Sequence, residues 1–178
     1  MSDDRDENAT EDEIEDDGAG VDRQERASTG RARRRARDRD EEGRARQARP
    51  RDALGRPLPY GATGVEPVDE TPLPPERTIE VARGLLAAGR PFSAHEIYET
   101  RWKSCPQAER DLWKGLAQLC VAITHGARGN TTGARRLLGR GEERLGQYGR
   151  SGGPRYGLDL VALVDEARSL VETRSAGG

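Results

Sequence analysis

The sequence predicts an all-α fold, a compact bundle of about five helices behind a disordered, charged N-terminal tail. Three observations carry that expectation. After residue 75, apolar residues recur at three- and four-residue spacing in five separate stretches, as in helices with one buried face. Nowhere does an apolar–polar alternation mark a strand. The first third has no periodic apolar residues, and the 178-residue chain has a mean hydropathy of −0.93 with 35% charged residues. That third cannot repay its ordering entropy by burial, whereas the remainder, on the order of 100 residues, is long enough for one small core.

The chain divides into a polyampholyte tail over residues 1–50, an extended segment over 51–75 and a helical domain over 76–174. In the tail, Asp3, Asp4, Asp6, Glu7, Glu11, Asp12, Glu13, Glu15, Asp16 and Asp17 face a single Arg5. From Arg31 to Arg51 the sign reverses, with ten arginines that include Arg33-Arg34-Arg35. A nucleic-acid arm is the weaker expectation for this stretch, because no aromatic residue is interleaved to stack on bases. A solvated tail whose halves neutralise each other is the stronger one. Of the 30 basic residues, only Lys103 and Lys114 are lysine.

From Arg51 to Gly61, prolines and glycines forbid a regular helix, yet Leu54, Leu58 and Tyr60 give the segment something to bury. It reads either as a strap across the helices or as a plain linker. Pro75 suits the first turn of a helix over about Glu76 to Ala88, closed by Gly89. Ser93 and Glu96 have the spacing of a capping box, which starts the second helix at that serine. The third, about Gln107 to Ala127, is apolar almost all round (Leu112, Leu116, Leu119, Ile123, flanked by Trp113 and Cys120) and so belongs at the centre. The fourth begins near Thr131, with Ala134, Leu137, Leu138, Gly141, Leu145 and Tyr148 along one face. Its glycines permit close helix contact. Asp159 caps the fifth, whose inner face is Leu160, Leu163, Val164, Ala167, Leu170 and Val171.

There is no apolar run of roughly 18 residues and the acidic start is no signal peptide, so neither a membrane span nor secretion is expected. Cys105 and Cys120 stand in no metal-ligand spacing and read as reduced thiols of a cytoplasmic protein. Phosphate loops, dinucleotide fingerprints and serine elbows are absent.

The chemistry-bearing residues concentrate on the second helix. At about 100° per residue, Phe92, His95, Tyr98, Glu99 and Trp102 share a face, which the aromatics should turn inward with His95 and Glu99. Ionisable groups there need partners or shift their pKa. A short link at Ser104-Cys105-Pro106 makes helices two and three an antiparallel hairpin. Counting rise per residue from that turn sets His95 beside Gln118, and Glu99 beside Lys114 or Arg110. His125 falls roughly 10 Å beyond Gln118, an awkward third ligand.

The run Phe92 to Trp102, then Glu109-Arg110, Gly115-Leu116-Ala117-Gln118-Leu119, His125, and Gly129-Asn130 before Gly133-Ala134, resembles the bacterial and archaeal family catalogued as domain of unknown function 309. The resemblance runs from about Glu76 to Tyr148 and implies a compact all-helical fold. It also carries a catalogue label, metal-dependent hydrolase, that rests on the His and Glu motif. Three readings then compete. In a metal enzyme, His95 and Glu99 would bind a divalent ion, zinc or iron, and Glu96 would activate its water as the candidate catalytic residue. In a binding module, a pocket beside these residues takes a small molecule or peptide. In a structural module, His95, Glu99, Trp102, Arg110, Lys114, Gln118 and His125 belong to a satisfied polar network. A binding or structural module is the preferred expectation.

Overall fold

The computed structural model describes residues 49–175. The charged tail expected over residues 1–50 therefore lies outside the described residues, except for its last two. The described chain folds into five α-helices and one 3-10 turn: α1 (Pro75–Ala87), α2 (Pro91–Ser104), the turn Gln107–Glu109, α3 (Arg110–Ala127), α4 (Thr131–Ser151) and α5 (Leu160–Ser175). Among the described residues there is no strand, only an isolated bridge between Arg51 and Pro57. The all-α expectation holds. No described helix is long and apolar enough to cross a membrane.

Helix boundaries follow local chemistry. Pro75 opens α1, where a missing N–H and a fixed φ are harmless. The capping box expected at Ser93 and Glu96 does not form. Pro91 starts α2 two residues earlier, by the same preference, so Ser93 already lies in the first turn. Its hydroxyl instead accepts from the Arg90 guanidinium at 3.1 Å. Asn130 caps α4 by accepting the Gly133 N–H at 2.9 Å. Asp159 caps α5, accepting the N–H groups of Val161 and Ala162 at 3.1 Å.

α3 is the central helix, with 14 of its 18 residues buried. It packs on α2, α4 and α5, while α1 covers α2. The approach of α3 to α4 depends on two glycines. A Cβ on Gly115 would lie 2.8 Å from Leu145, and one on Gly141 would lie 2.9 Å from Leu119.

Residues 50–65 lie over the start of α2 and the end of α3. Asp52 Oδ1 shapes the bend by accepting the Leu54 and Arg56 N–H groups at 2.9 and 2.8 Å. At its apex Gly55 has φ +75° and is buried on the Phe92 ring, where a Cβ would come within 2.3 Å. Arg128, at the end of α3, donates from Nε to the Leu54 carbonyl at 2.9 Å. The Arg51 and Arg128 guanidinium groups lie 5.2 and 5.9 Å from the Phe92 ring centre. Tyr60, expected to bury, is 55% exposed, with the Arg49 guanidinium over its ring at 4.7 Å.

Candidate functional site: a cleft between the strap and α2

The buried stripe of α2 is Ala94, Ile97, Tyr98 and Trp102, at i, i+3, i+4 and i+8. That choice rotates the helix relative to the expected inward face. Phe92 and Glu99 end half-buried, and only His95 of the polar pair is enclosed, at 6% exposure. The other side of α2, with Phe92, Glu96, Glu99, Thr100 and Lys103, faces residues 49–72 across a cleft of about 530 Å³. The strap contributes Arg51, Val65, Glu66, Val68 and Glu70 to the opposite wall.

Four ionisable groups of α2 meet at or just behind this cleft, Glu96, Glu99, Lys103 and the buried His95. Glu99 is held from its own helix: Lys103 Nζ lies 2.9 Å from Oε1 and His95 Nε2 lies 3.3 Å from Oε2. The His95 contact is out of line for a hydrogen bond, and the ring instead interacts with the Phe92 backbone carbonyl one turn back. Burial drives the His95 pKa down, against the pull of the Glu99 carboxylate, so the ring is neutral at pH 7. The pair is therefore no salt bridge there. Glu96 is pushed the other way. Burial raises its pKa, against the attraction of Arg51, the strongest of the neighbouring charges, with smaller repulsion from Glu99 and Glu70 and a smaller attraction from Arg90.

The remaining residues singled out in the sequence do not join this group. The pairing of His95 with Gln118 does not form: Gln118 Oε1 is buried without a hydrogen bond, and the imidazole meets Phe92 and Glu99 of its own helix instead. Arg110 lies over the Trp102 ring at 5.0 Å rather than on Glu99, and the Lys114 ammonium lies over the same indole at 4.9 Å. His125 is at the far end of α3, where its Nδ1 is 2.8 Å from Asn130 Nδ2, beside the α4 cap. Trp102 is a core residue at 5% exposure.

A second polar cluster sits at the hairpin turn, and sequence reasoning missed its centre. Glu109, 8% exposed, accepts from Trp113 Nε1 at 2.9 Å and from Arg101 at 3.5 Å. The Tyr156 hydroxyl also donates to this carboxylate; burial, then that hydrogen bond, push its pKa up to about 12. Tyr156 arrives from the α4–α5 loop with φ 51° and stacks on Trp113 at 5.8 Å. Nothing local in a loop tyrosine signals such a role. Glu109 carried a usable signal, standing four residues before Trp113 at helical spacing.

The donor chemistry tests the metal expectation. A catalytic zinc or iron centre needs about three protein ligands. His95 and Glu99 are two, and among the described residues no group of three or more His, Cys, Asp or Glu could hold a metal ion. The pair does not fit a metal centre by itself, and no chemistry is derived through one.

Fold and site together define a small helical-bundle protein with a strapped, carboxylate-bearing cleft. Residues 79–137 match the model of the family described as "Domain of unknown function (DUF309)", in agreement with the resemblance read from the motif. The match spans His95 to His125 but stops short of Tyr148. The chain is also 38% identical, over 89 residues, to the uncharacterized protein YpuF of Bacillus subtilis (strain 168). That alignment covers 48% of this chain, which spans only about half, 51%, of the relative's length. No solved structure matches significantly.

Proposed function

We propose that the protein is a binding module whose site is the cleft between the strap and α2. One observation carries this reading. The cleft between the strap and α2 is lined by ionisable groups of both signs, Arg51, Glu66 and Glu70 on one wall and Glu96, Glu99 and Lys103 on the other, backed by the buried His95. The volume, about 530 Å³, is in the range of small-molecule sites. The structural reading applies to the other end of the hairpin, where Glu109 is satisfied. A cytoplasmic setting is consistent with the free Cys105 and Cys120.

The test is a thermal-shift screen of amines, amino acids, dicarboxylates and nucleosides on the full chain and on Thr100→Trp, which fills the cleft. At least one class should raise the melting midpoint of the wild type and leave the variant unmoved. Compounds that act equally on both proteins, or no active compound, would remove the reading.

A further inference from the structure

The looped part of the strap gathers positive charge. Residues 50–58 double back on themselves: the Leu58 N–H donates to the Pro50 carbonyl at 2.8 Å, the Asp52 N–H donates to the Arg56 carbonyl at 3.0 Å, and Arg51 bridges Pro57. That path sets Arg49 and Arg51 on one limb beside Arg56 and Tyr60 on the other. Arg128, reaching from the end of α3 to the Leu54 carbonyl, adds a fourth guanidinium. These arginines are near enough to repel one another. The Arg128 pKa is lowered first by burial and then by Arg56, with Arg51 adding to the effect against the attraction of Asp52. Against the four stand Asp52, whose Oδ1 is taken by the Leu54 and Arg56 N–H groups, and Glu96, which acts on Arg51 from the cleft side. The balance is positive.

Charge alone would mark only a solvated surface. Tyr60 is the independent sign. It is 55% exposed, and among the described residues no other aromatic ring is exposed. The Arg49 guanidinium already lies over it at 4.7 Å. A tyrosine ring and a guanidinium plane make a stacking surface of the kind that takes an unpaired base. The arginine-rich stretch from Arg31 to Arg51 has no aromatic of its own, and it runs directly into this one. An anionic membrane would answer the charge, but a single ring under a guanidinium offers little to bury in lipid.

We propose that the strap binds single-stranded nucleic acid, RNA or DNA. Phosphates pair with Arg56 and Arg128, and one base continues the stack of Tyr60 and Arg49. The stack requires a strand whose bases are unpaired, and it tolerates any sequence because every base has a π-face. This site goes beyond the cleft and stands or falls without it, since Arg56, Tyr60 and Arg128 do not line the cleft.

Fluorescence anisotropy of labelled oligouridylate and labelled oligothymidylate, titrated with the full chain over a range of salt, tests this. Affinity should fall as salt rises, and Arg56→Gln should reduce the slope of log K against log salt by about 0.7, one phosphate contact on a single strand. Tyr60→Ala should weaken binding about fivefold or more, and Tyr60→Phe should restore it. Both side chains are exposed, so the melting midpoint should be retained in all three variants. The tighter of the two oligonucleotides tells RNA from DNA. No binding at low salt would overturn the proposal. So would binding unchanged in Tyr60→Ala and Arg56→Gln, which would assign the nucleic acid to the arginines before the strap. A loss confined to one of these two variants would also overturn it, because the site requires charge and stack together. Phosphatidylglycerol vesicles that bind the full chain when neither oligonucleotide does would make the patch a membrane contact, and the proposal would fall.

Discussion

The two ends of the α2–α3 hairpin hold comparable sets of polar and aromatic residues and treat them in opposite ways. At the turn, the buried Glu109 carboxylate is met by Trp113, Arg101 and Tyr156, drawn from three parts of the chain. At the open end, the buried His95 imidazole is met from its own helix, by the Phe92 backbone and by Glu99, which Lys103 shares. The turn end has one lapse, Arg101 Nε, which is buried without a partner. A polar cluster that closes on itself locks helix register. One left open beneath a cleft is where a ligand can contribute binding energy. The difference therefore separates architecture from function within a single hairpin.

The comparison makes its largest demand on the closed end. Trp113 is fully buried, stacks on Tyr156 and donates to Glu109. Trp113→Ala should lower unfolding free energy by about 3–5 kcal/mol in urea titration. Glu109→Ala removes the acceptor shared by Trp113 and Tyr156 and should lower it by about 2–3 kcal/mol. A loss below about 1 kcal/mol for both would mean that the turn cluster is not the anchor, and the contrast between the ends would disappear.

The strap is the next way to sharpen it. Gly55→Ala would force a side chain to φ +75° and into the Phe92 ring. The expected loss is about 1–2 kcal/mol. Because residues 51–65 seat on the start of α2 and the end of α3, hydrogen exchange should accelerate over residues 51–65 and remain slow in the body of α3. Uniform acceleration would show that the strap and bundle unfold as one unit.

What the sequence made legible is what depends on neighbours along the chain. The cap at Asp159, the start of the fourth helix near Thr131, the central burial of the third helix and the close contact at Gly141 all follow from local pattern. The capping box at Ser93 failed because a competing local rule, proline at the first helical position, acted two residues upstream. The cross-helix pairings failed for a different reason. Counting residues from a turn sets the level of a side chain but not the rotation of its helix. Ala94 and Ile97 decided that rotation, carrying Glu99 toward the strap and leaving Gln118 unpaired with His95. The strap's seat was beyond reach, since the Arg128–Leu54 contact joins residues 74 apart in sequence.

The smallest expected effect is the pH response of the open end. His95 is held below its ordinary value of 6.5 by burial. As pH falls through 6.5 the unfolded chain takes up a proton that the native imidazole refuses, so the unfolded state binds more protons and stability falls with pH. The contribution is fully present above 6.5 and is lost progressively as pH drops toward the depressed native value. Glu96 acts with the opposite sign. Its native pKa is raised above 4.5, so between 4.5 and that raised value the native state holds the extra proton and gains stability as pH falls. His95→Leu removes the first effect and keeps the second. At pH 7.5 it should cost about 1 kcal/mol, because the imidazole it replaces interacts with the Phe92 backbone. Between pH 7.5 and 5.5 the melting midpoint of the wild type should then fall relative to the variant. A difference that stays constant across that range would mean His95 titrates as an ordinary imidazole, with the Glu99 carboxylate compensating its burial. The open end would then be closed after all, by a protonated His95 paired with Glu99.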